Sequence, residues 1–230
     1  MSKVSYPVHL DLSGRSVLVV GAGRVATRKI ERLAETPATL RVIAPEASAP
    51  VRKLAVLGKL GWLSRAVRED DVAGAFMVIA ATDQPEVNVD VARWAKAAGA
   101  LISRVDAPAE SDFTVPAFVR GEQVEATVST YGDAPSASRR LKRELSAWVQ
   151  HGPDRFAREV AIVRRALQGR PDAAEVLRKL NESGLYEACA AADEARIQAL
   201  LSAAQSKNAL ADIAGAEPAR THSAGLGERT

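Results

Sequence analysis

Apolar residues in the first half of the chain come in short runs separated by amphipathic stretches. "SVLVV" at residues 16–20 is an unbroken apolar run stopped by glycine, the mark of a buried strand. From Arg24 the period changes. Val25, Ile30 and Leu33 recur at near-helical spacing, with Arg28, Lys29, Glu31 and Arg32 on other faces. "TLRVIAP" predicts a second strand closed by Pro45, and residues 49–57 a second helix. "AFMVIAAT" predicts a third strand. A helix follows over residues 87–98, with Asn88 in its first turn and Gly99 as its stop, and "ALISRVD" is a fourth strand. Strands alternating with helices through short loops predict an open parallel sheet covered on both faces.

The pattern changes after residue 113. "FTVPAFVRGEQVEATVST" reads as two strands joined around Gly121. "SASRRLKRELSAWVQ" reads as a helix with Ser136 as its cap and an apolar stripe of Leu141, Leu145 and Trp148, broken by Pro153. Helical patterns follow at residues 155–167, 173–181 and 194–204. Beyond about residue 206 the chain is rich in Ala, Gly and polar residues and reads as a flexible tail.

The richest stretch for chemistry is the end of the first strand. Gly21, Gly23 and Ala26 fit G-x-G-x-x-A between a predicted strand and a predicted helix. There the first glycine allows a tight turn, the second lets backbone approach a pyrophosphate, and the small third residue packs helix on strand. The helix start offers free N–H groups and a partial positive charge. The structural alternative is a glycine turn that only packs a helix. The acidic residue that would hold an adenine ribose after the second strand is missing. Ala44 and Pro45 stand there, with Glu46 one step beyond, so Glu46 or backbone groups serve instead. No arginine is placed plainly for a 2′-phosphate, although Arg41 is near, and NAD is favoured over NADP.

Other candidates lie at the predicted carboxyl edge of the sheet. Thr82 and Asp83 end the third strand, and Asn88 fixes that loop or touches a cofactor, the alternative being simple helix capping. Asp106 ends the fourth, where a carboxylate can accept a proton, although Asp before Ala-Pro is also a good turn former. Arg139, Arg140, Lys142 and Arg143 crowd one helix, with Arg139 and Arg143 on one face: a solvated face or a cradle for an acidic ligand.

Composition narrows the rest. With 31 Lys and Arg against 28 Asp and Glu, the net charge of +3 gives no bulk reason to bind nucleic acid. Cys189 is the single cysteine, which fits a reducing compartment, and the three histidines are far apart, so no metal cluster is expected. Lys3, His9 and Asp11 interrupt the N-terminus, which predicts no secretory leader. No run reaches the ~20 apolar residues of a membrane span. A cytoplasmic protein is expected.

Taken in order, "YPVHLDLSGRSVLVVG", "VVGAGRVATRK", "AATDQPEVN", "VDAPAESDFTVPA" and "VSTYGDAPSASRRLKREL" resemble one family, the precorrin-2 dehydrogenase/sirohydrochlorin ferrochelatase family, which includes the N-terminal half of siroheme synthase. The likeness is good over about the first 150 residues and looser to about residue 204. It implies NAD-dependent oxidation of precorrin-2 to sirohydrochlorin, with insertion of ferrous iron to give siroheme in some members. It also implies a homodimer with a Rossmann domain (1–113), a small α+β dimerisation region (114–150) and a helical domain (151–205), here followed by the tail (206–230). The family's important aspartate falls on Asp106, and its cofactor contacts fall on Arg24, Val25, Pro45 and Glu46. A tetrapyrrole bearing many carboxylates suits the basic helix, with Ser129 and Thr130 nearby in sequence.

The chain departs from the family where the tetrapyrrole should sit. Ser103 replaces a frequent Asn and is followed by Arg104, which could hold a substrate carboxylate. Gly132-Asp133-Ala134-Pro135 lacks a hydroxyl that the family carries, while Ser136 remains. These changes bear on chelation more than on oxidation. No methyltransferase domain is expected in the chain, so its precorrin-2 would come from another protein. The competing readings are a Rossmann-type nucleotide-sensing regulatory module, which needs neither the Asp106 loop nor the basic helix, and a chelatase with a vestigial dehydrogenase site.

Overall fold

The computed structural model describes residues 6–131 and 134–216, which fall into two compact units divided after Val115. In the first, the alternation inside one strand decides the layering. β1 (Ser16–Val20) sends Val17 and Val19 to one face and Leu18 and Val20 to the other, and all four are buried. Val17 and Val19 meet Ala26 and Ile30 of α1 (Arg24–Leu33) and Val51 of α2 (Ala49–Val56). Leu18 and Val20 meet Val91, Ala92 and Ala95 of α3 (Pro85–Ala97). A sheet buried on both faces needs apolar residues at every position, and this explains the unbroken runs.

The sheet is wholly parallel. Its strands are β2 (Thr39–Ile43), β3 (Gly61–Leu63), β4 (Met77–Ala80) and β5 (Leu101–Arg104), in the order β3-β2-β1-β4-β5. The expected Rossmann-like α/β arrangement is present, with one strand more than the pattern announced. β3 has three residues and lies at the sheet's edge, too short for a periodic signal. Val20, Ile43, Ala80 and Arg104 share one row of the register, so the segments after them line a common carboxyl edge. The strand order reverses between β1 and β4, where ligands of open α/β sheets bind. β5 is the other edge. Its free side is covered by its own following loop: the Asp112 carboxylate accepts the Ile102 N–H (3.0 Å), and the Asp112 N–H donates to the Ile102 carbonyl (2.8 Å).

The second unit begins with an antiparallel hairpin, β6 (Ala117–Arg120) and β7 (Glu125–Val128), as the sequence predicts, with α4 (Pro135–Gln150) packed on both strands. The hairpin's turn is held by a distant side chain. Asp154 accepts the N–H groups of Glu122, Gln123 and Val124 at 3.1, 2.7 and 2.9 Å. A Cβ on Gly121 would collide with that carboxylate. Helices α5 (Pro153–Ala166), α6 (Ala173–Glu182), α7 (Leu185–Ala191), α8 (Glu194–Gln205) and α9 (Ala209–Ala216) share a core of Val163, Leu167, Val176, Leu180, Leu185, Ile197, Leu200 and Ile213.

Four expectations change here. α7 was not foreseen, nor was α9, which lies where the tail was expected and buries Ala209 and Ile213. The rest of that tail, residues 217–230, is outside the described residues. The N-cap of α4 is Ala134 rather than Ser136, because Pro135 takes the first helical position, where a missing N–H costs nothing. The stripe on α4 has helical spacing but is not core: Leu141 and Trp148 are 40% and 48% exposed, and the buried residue is Val149.

Candidate functional site

The turn after β1 shows two glycines with different reasons. Gly21 has φ +100°, donates its N–H to the Ile43 carbonyl (2.9 Å), and would place a Cβ 2.5 Å from the Ala81 carbonyl oxygen. The protein itself requires glycine there. Gly23 has an ordinary φ of −74°, and a Cβ on it would meet no protein atom within 4 Å. Nothing in this chain's packing or backbone demands a glycine at that point, and the room above it is open. Gly23 also caps α1, whose first turn carries no acidic residue, so the free N–H groups of that turn face an uncompensated positive end. Arg24 and Val25 are exposed on that turn, and Ala26 is wholly buried against the sheet. The structure therefore fits a dinucleotide phosphate at Gly23.

The loop after β2 is tied to the same turn. The Ser48 N–H donates to the Ala22 carbonyl (3.2 Å), and the Ser48 hydroxyl lies 2.8 Å from that of Thr27, whose own hydroxyl also reaches the Gly23 carbonyl (2.9 Å). Pro45 and Glu46 are consequently held exposed beside the glycine turn. Sequence reading missed Ser48 and Thr27; the available signal was a serine just before the second helix and a threonine beside the small Ala26 of the first. Arg41 stands two residues short of the edge and donates to the Asp71 carbonyl (3.0 Å).

After β4, Asn88 is completely buried, and its side-chain amide brackets Thr82. Its Oδ1 accepts the Thr82 N–H (3.1 Å), and its Nδ2 donates to the Thr82 carbonyl (3.2 Å). Of the two roles foreseen for Asn88, holding the loop is the one its bonds perform. The N-cap of α3 is Gln84, and the Thr82 hydroxyl accepts its N–H (3.2 Å). Asp83 is exposed at the edge.

After β5 the charged groups cluster. The Arg104 side chain is 8% exposed, and its guanidinium donates to Asp106 Oδ2 (2.8 Å), more distantly to Asp106 Oδ1 (3.4 Å), and to Glu110 Oε2 (2.6 Å). The Ser111 hydroxyl accepts the Arg104 N–H (2.8 Å). Arg104 is thus enclosed by this chain's own carboxylates, which compete with the substrate-carboxylate role foreseen for it. Asp106 keeps 28% of its side chain exposed. The Arg104 guanidinium holds its carboxyl below the usual carboxylate range, against the opposing pull of burial, with a smaller contribution from the Asn88 amide. The same loop therefore presents a carboxylate biased toward its ionised form at the sheet edge. Glu110 and Ser111 were not foreseen; an acid six residues after a strand-ending arginine was the available signal.

On the second unit, Ser129 and Thr130 follow β7. The Ser129 hydroxyl accepts the Tyr131 N–H (3.2 Å), and the Thr130 hydroxyl pairs with that of Ser138 (2.7 Å). Arg139 and Arg143 are exposed without an ion-pair partner among the described residues, whereas Arg140 pairs with Glu144 (3.0 Å). The departure at Gly132 and Asp133 lies outside the described residues. Among the described residues no group of three His, Cys, Asp or Glu is placed to hold a metal ion, and no helix is long and apolar enough to cross a membrane.

A parallel sheet with this strand order, a glycine turn at its switch point and a helix start above open space define a dinucleotide-binding domain of the Rossmann type. Comparison with known proteins agrees. A family model described as "Putative NAD(P)-binding" matches residues 8–117. A siroheme synthase of Pseudomonas aeruginosa (strain LESB58) is 39% identical over 143 residues, 62% of this chain and 31% of that protein. One from Pseudomonas putida (strain W619) is 37% identical over 159 residues, 69% of this chain and 34% of that protein. This chain thus spans about a third of the length of these relatives. Among solved structures, SirC, a precorrin-2 dehydrogenase, superposes with a TM-score of 0.67 at 27% identity, covering 76% of this chain and 89% of that one. Residues 8–117 thus match an NAD(P)-binding family, and the chain is similar to part of the siroheme synthases and to a precorrin-2 dehydrogenase.

Proposed function

We propose that the protein oxidises precorrin-2 to sirohydrochlorin with NAD, in siroheme biosynthesis. The observation that carries this reading is one sheet edge holding both the open space at Gly23 and the partly exposed carboxylate of Asp106. The likeness to a precorrin-2 dehydrogenase over most of both chains supports the substrate.

In this account Gly21 shapes the turn, Gly23 and the first-turn N–H groups of Arg24, Val25 and Ala26 receive the pyrophosphate, and Pro45 and Glu46 border the adenine ribose. Thr82 and Asp83, braced by Asn88, border the nicotinamide end. NAD, when bound, supplies a hydride acceptor. The residual task for the protein is the proton, and Asp106 is the residue at this edge equipped to take it from the tetrapyrrole. A carboxylate held by arginine is a weaker base than a free one, but it is present as the anion throughout the neutral range, so no fraction of the enzyme is idle through protonation. Arg139 and Arg143, exposed cations of α4, are assigned to substrate carboxylates, with Arg140, Ser129 and Thr130 as supporting polar groups.

The exposed Leu141 and Trp148 on α4 support a homodimer, and a single buried cysteine fits the cytoplasm. Ferrous iron enters, if the protein also chelates, as a second substrate. Purified protein given precorrin-2 under anaerobic conditions, with and without NAD, is expected to form sirohydrochlorin only with NAD. Absence of NAD-dependent product contradicts the reading and leaves the nucleotide-sensing module. Ferrous ion added to sirohydrochlorin then tests chelation.

A further inference from the structure

The buried cation of the first unit enters the mechanism above only as the group beside Asp106, and its own surroundings give it a further role. Arg104 occupies the last position of β5, with its side chain almost entirely enclosed and its guanidinium forked onto Asp106 on one side and Glu110 on the other. Four further bonds set the frame around it. The Ser111 hydroxyl accepts the Arg104 N–H, the Val105 N–H donates to the Ala80 carbonyl (3.0 Å), and Asp112 binds back onto Ile102 in both directions. The loop from residue 105 to residue 112 is thereby closed on β5 at both ends, with Arg104 at its centre.

We propose that Arg104 is a positioning residue for Asp106: anchored on its far side by Glu110, its guanidinium fixes the direction of the Asp106 carboxylate at the sheet edge. This rests on the reading of Asp106 as the proton acceptor. A planar fork accepts a carboxylate in one plane, which a free aspartate in a turn does not possess. Glu110 balances the second face of the guanidinium, so the arginine is held without needing a ligand anion to neutralise it. The charged groups bearing on Asp106 are Arg104 from β5 and, through it, Glu110 from the turn at Pro108–Glu110; α3 contributes only the neutral amide of Asn88. The exposed carboxylate of Glu110 (65%) also means that an apolar replacement of Arg104 leaves its two acids able to reach water.

The test uses Arg104→Met, Arg104→Lys and Asp106→Asn, each first checked for folding by thermal melting. Two readouts follow: titration of the Asp106 carboxyl by carbon NMR in cofactor-free protein, and the acid limb of kcat/KM for precorrin-2 oxidation. An arginine beside an aspartate lowers its pKa by about 1–3 units, so Arg104→Met is expected to move both the titration and the acid limb upward by about that much. Arg104→Lys, which keeps the charge and loses the fork, returns part of the shift. An unchanged Asp106 titration in Arg104→Met overturns the proposal. So does an unmoved acid limb when Asp106→Asn has abolished turnover. Full turnover in Asp106→Asn overturns the functional reading instead, and the NMR titration still decides whether Arg104 holds Asp106.

Discussion

Gly21 and Gly23 should respond to the same substitution in opposite ways. In Gly21→Ala the new methyl group meets the Ala81 carbonyl at 2.5 Å, a backbone atom pinned in the sheet by the Ala81 N–H bond to Val20. The residue would also have to hold φ +100°. A positive φ costs an alanine about 1–2 kcal/mol and overpacking about 1–3 kcal/mol, for a total of roughly 2–5 kcal/mol. In a chain of this size that is a fall in melting temperature on the order of 10 °C. In Gly23→Ala nothing lies within 4 Å and φ is ordinary. Losing glycine at a helix N-cap costs about 0.5–1 kcal/mol, while the stiffer unfolded chain returns about 0.4–1 kcal/mol. The two nearly cancel, so stability should stay within about 1 kcal/mol of the parent protein. The methyl group instead fills the opening assigned to the pyrophosphate, and NAD affinity should fall by at least about tenfold, or about 1.4 kcal/mol. Melting curves of cofactor-free protein and calorimetric NAD titrations measure both. A Gly23→Ala protein that melts as low as Gly21→Ala and still binds NAD normally would refute the assignment of the two glycines.

Asp106→Asn should lower turnover by about 10²–10⁴-fold with NAD affinity unchanged, read by steady-state kinetics and a binding titration. Asn88→Ala removes the acceptor of the Thr82 N–H inside the protein and should cost about 1–3 kcal/mol in denaturant unfolding. The three backbone N–H groups on Asp154 hold its carboxyl below the usual aspartate range. A carboxyl lowered in the folded state adds stability that is complete above its unfolded pKa and is lost as pH falls through the folded one. Asp154→Asn should therefore be less stable than the parent protein at neutral pH, and the difference should shrink as pH drops below about 4, followed by denaturation at a series of pH values.

Four strands and their helices were legible because each strand is largely buried on both faces and therefore carries a mostly apolar run. The edge strand Gly61–Leu63 is too short to carry a period, and it is placed by pairing with β2 rather than by its own composition. Residues 209–216 look like tail because alanine and glycine dominate, yet two buried residues, Ala209 and Ile213, suffice to dock a helix on a bundle. Spacing on α4 gave the face of Leu141 and Trp148 but could not say whether this chain covers it. At the site, the glycines and Asp106 were readable because their chemistry is carried by residue type and position after a strand. The role of Arg104 was not, because it depends on which carboxylates the loop folds back to meet, and sequence distance along an irregular loop does not encode that.

The central claim is that two electrons leave the tetrapyrrole for the nucleotide bound at the glycine turn. Counting NADH by its fluorescence against sirohydrochlorin formed in the same anaerobic reaction tests it directly. The account predicts equal amounts at every time point, with both lost in Asp106→Asn. Sirohydrochlorin appearing without NADH, or neither appearing in protein shown to bind NAD, would contradict it.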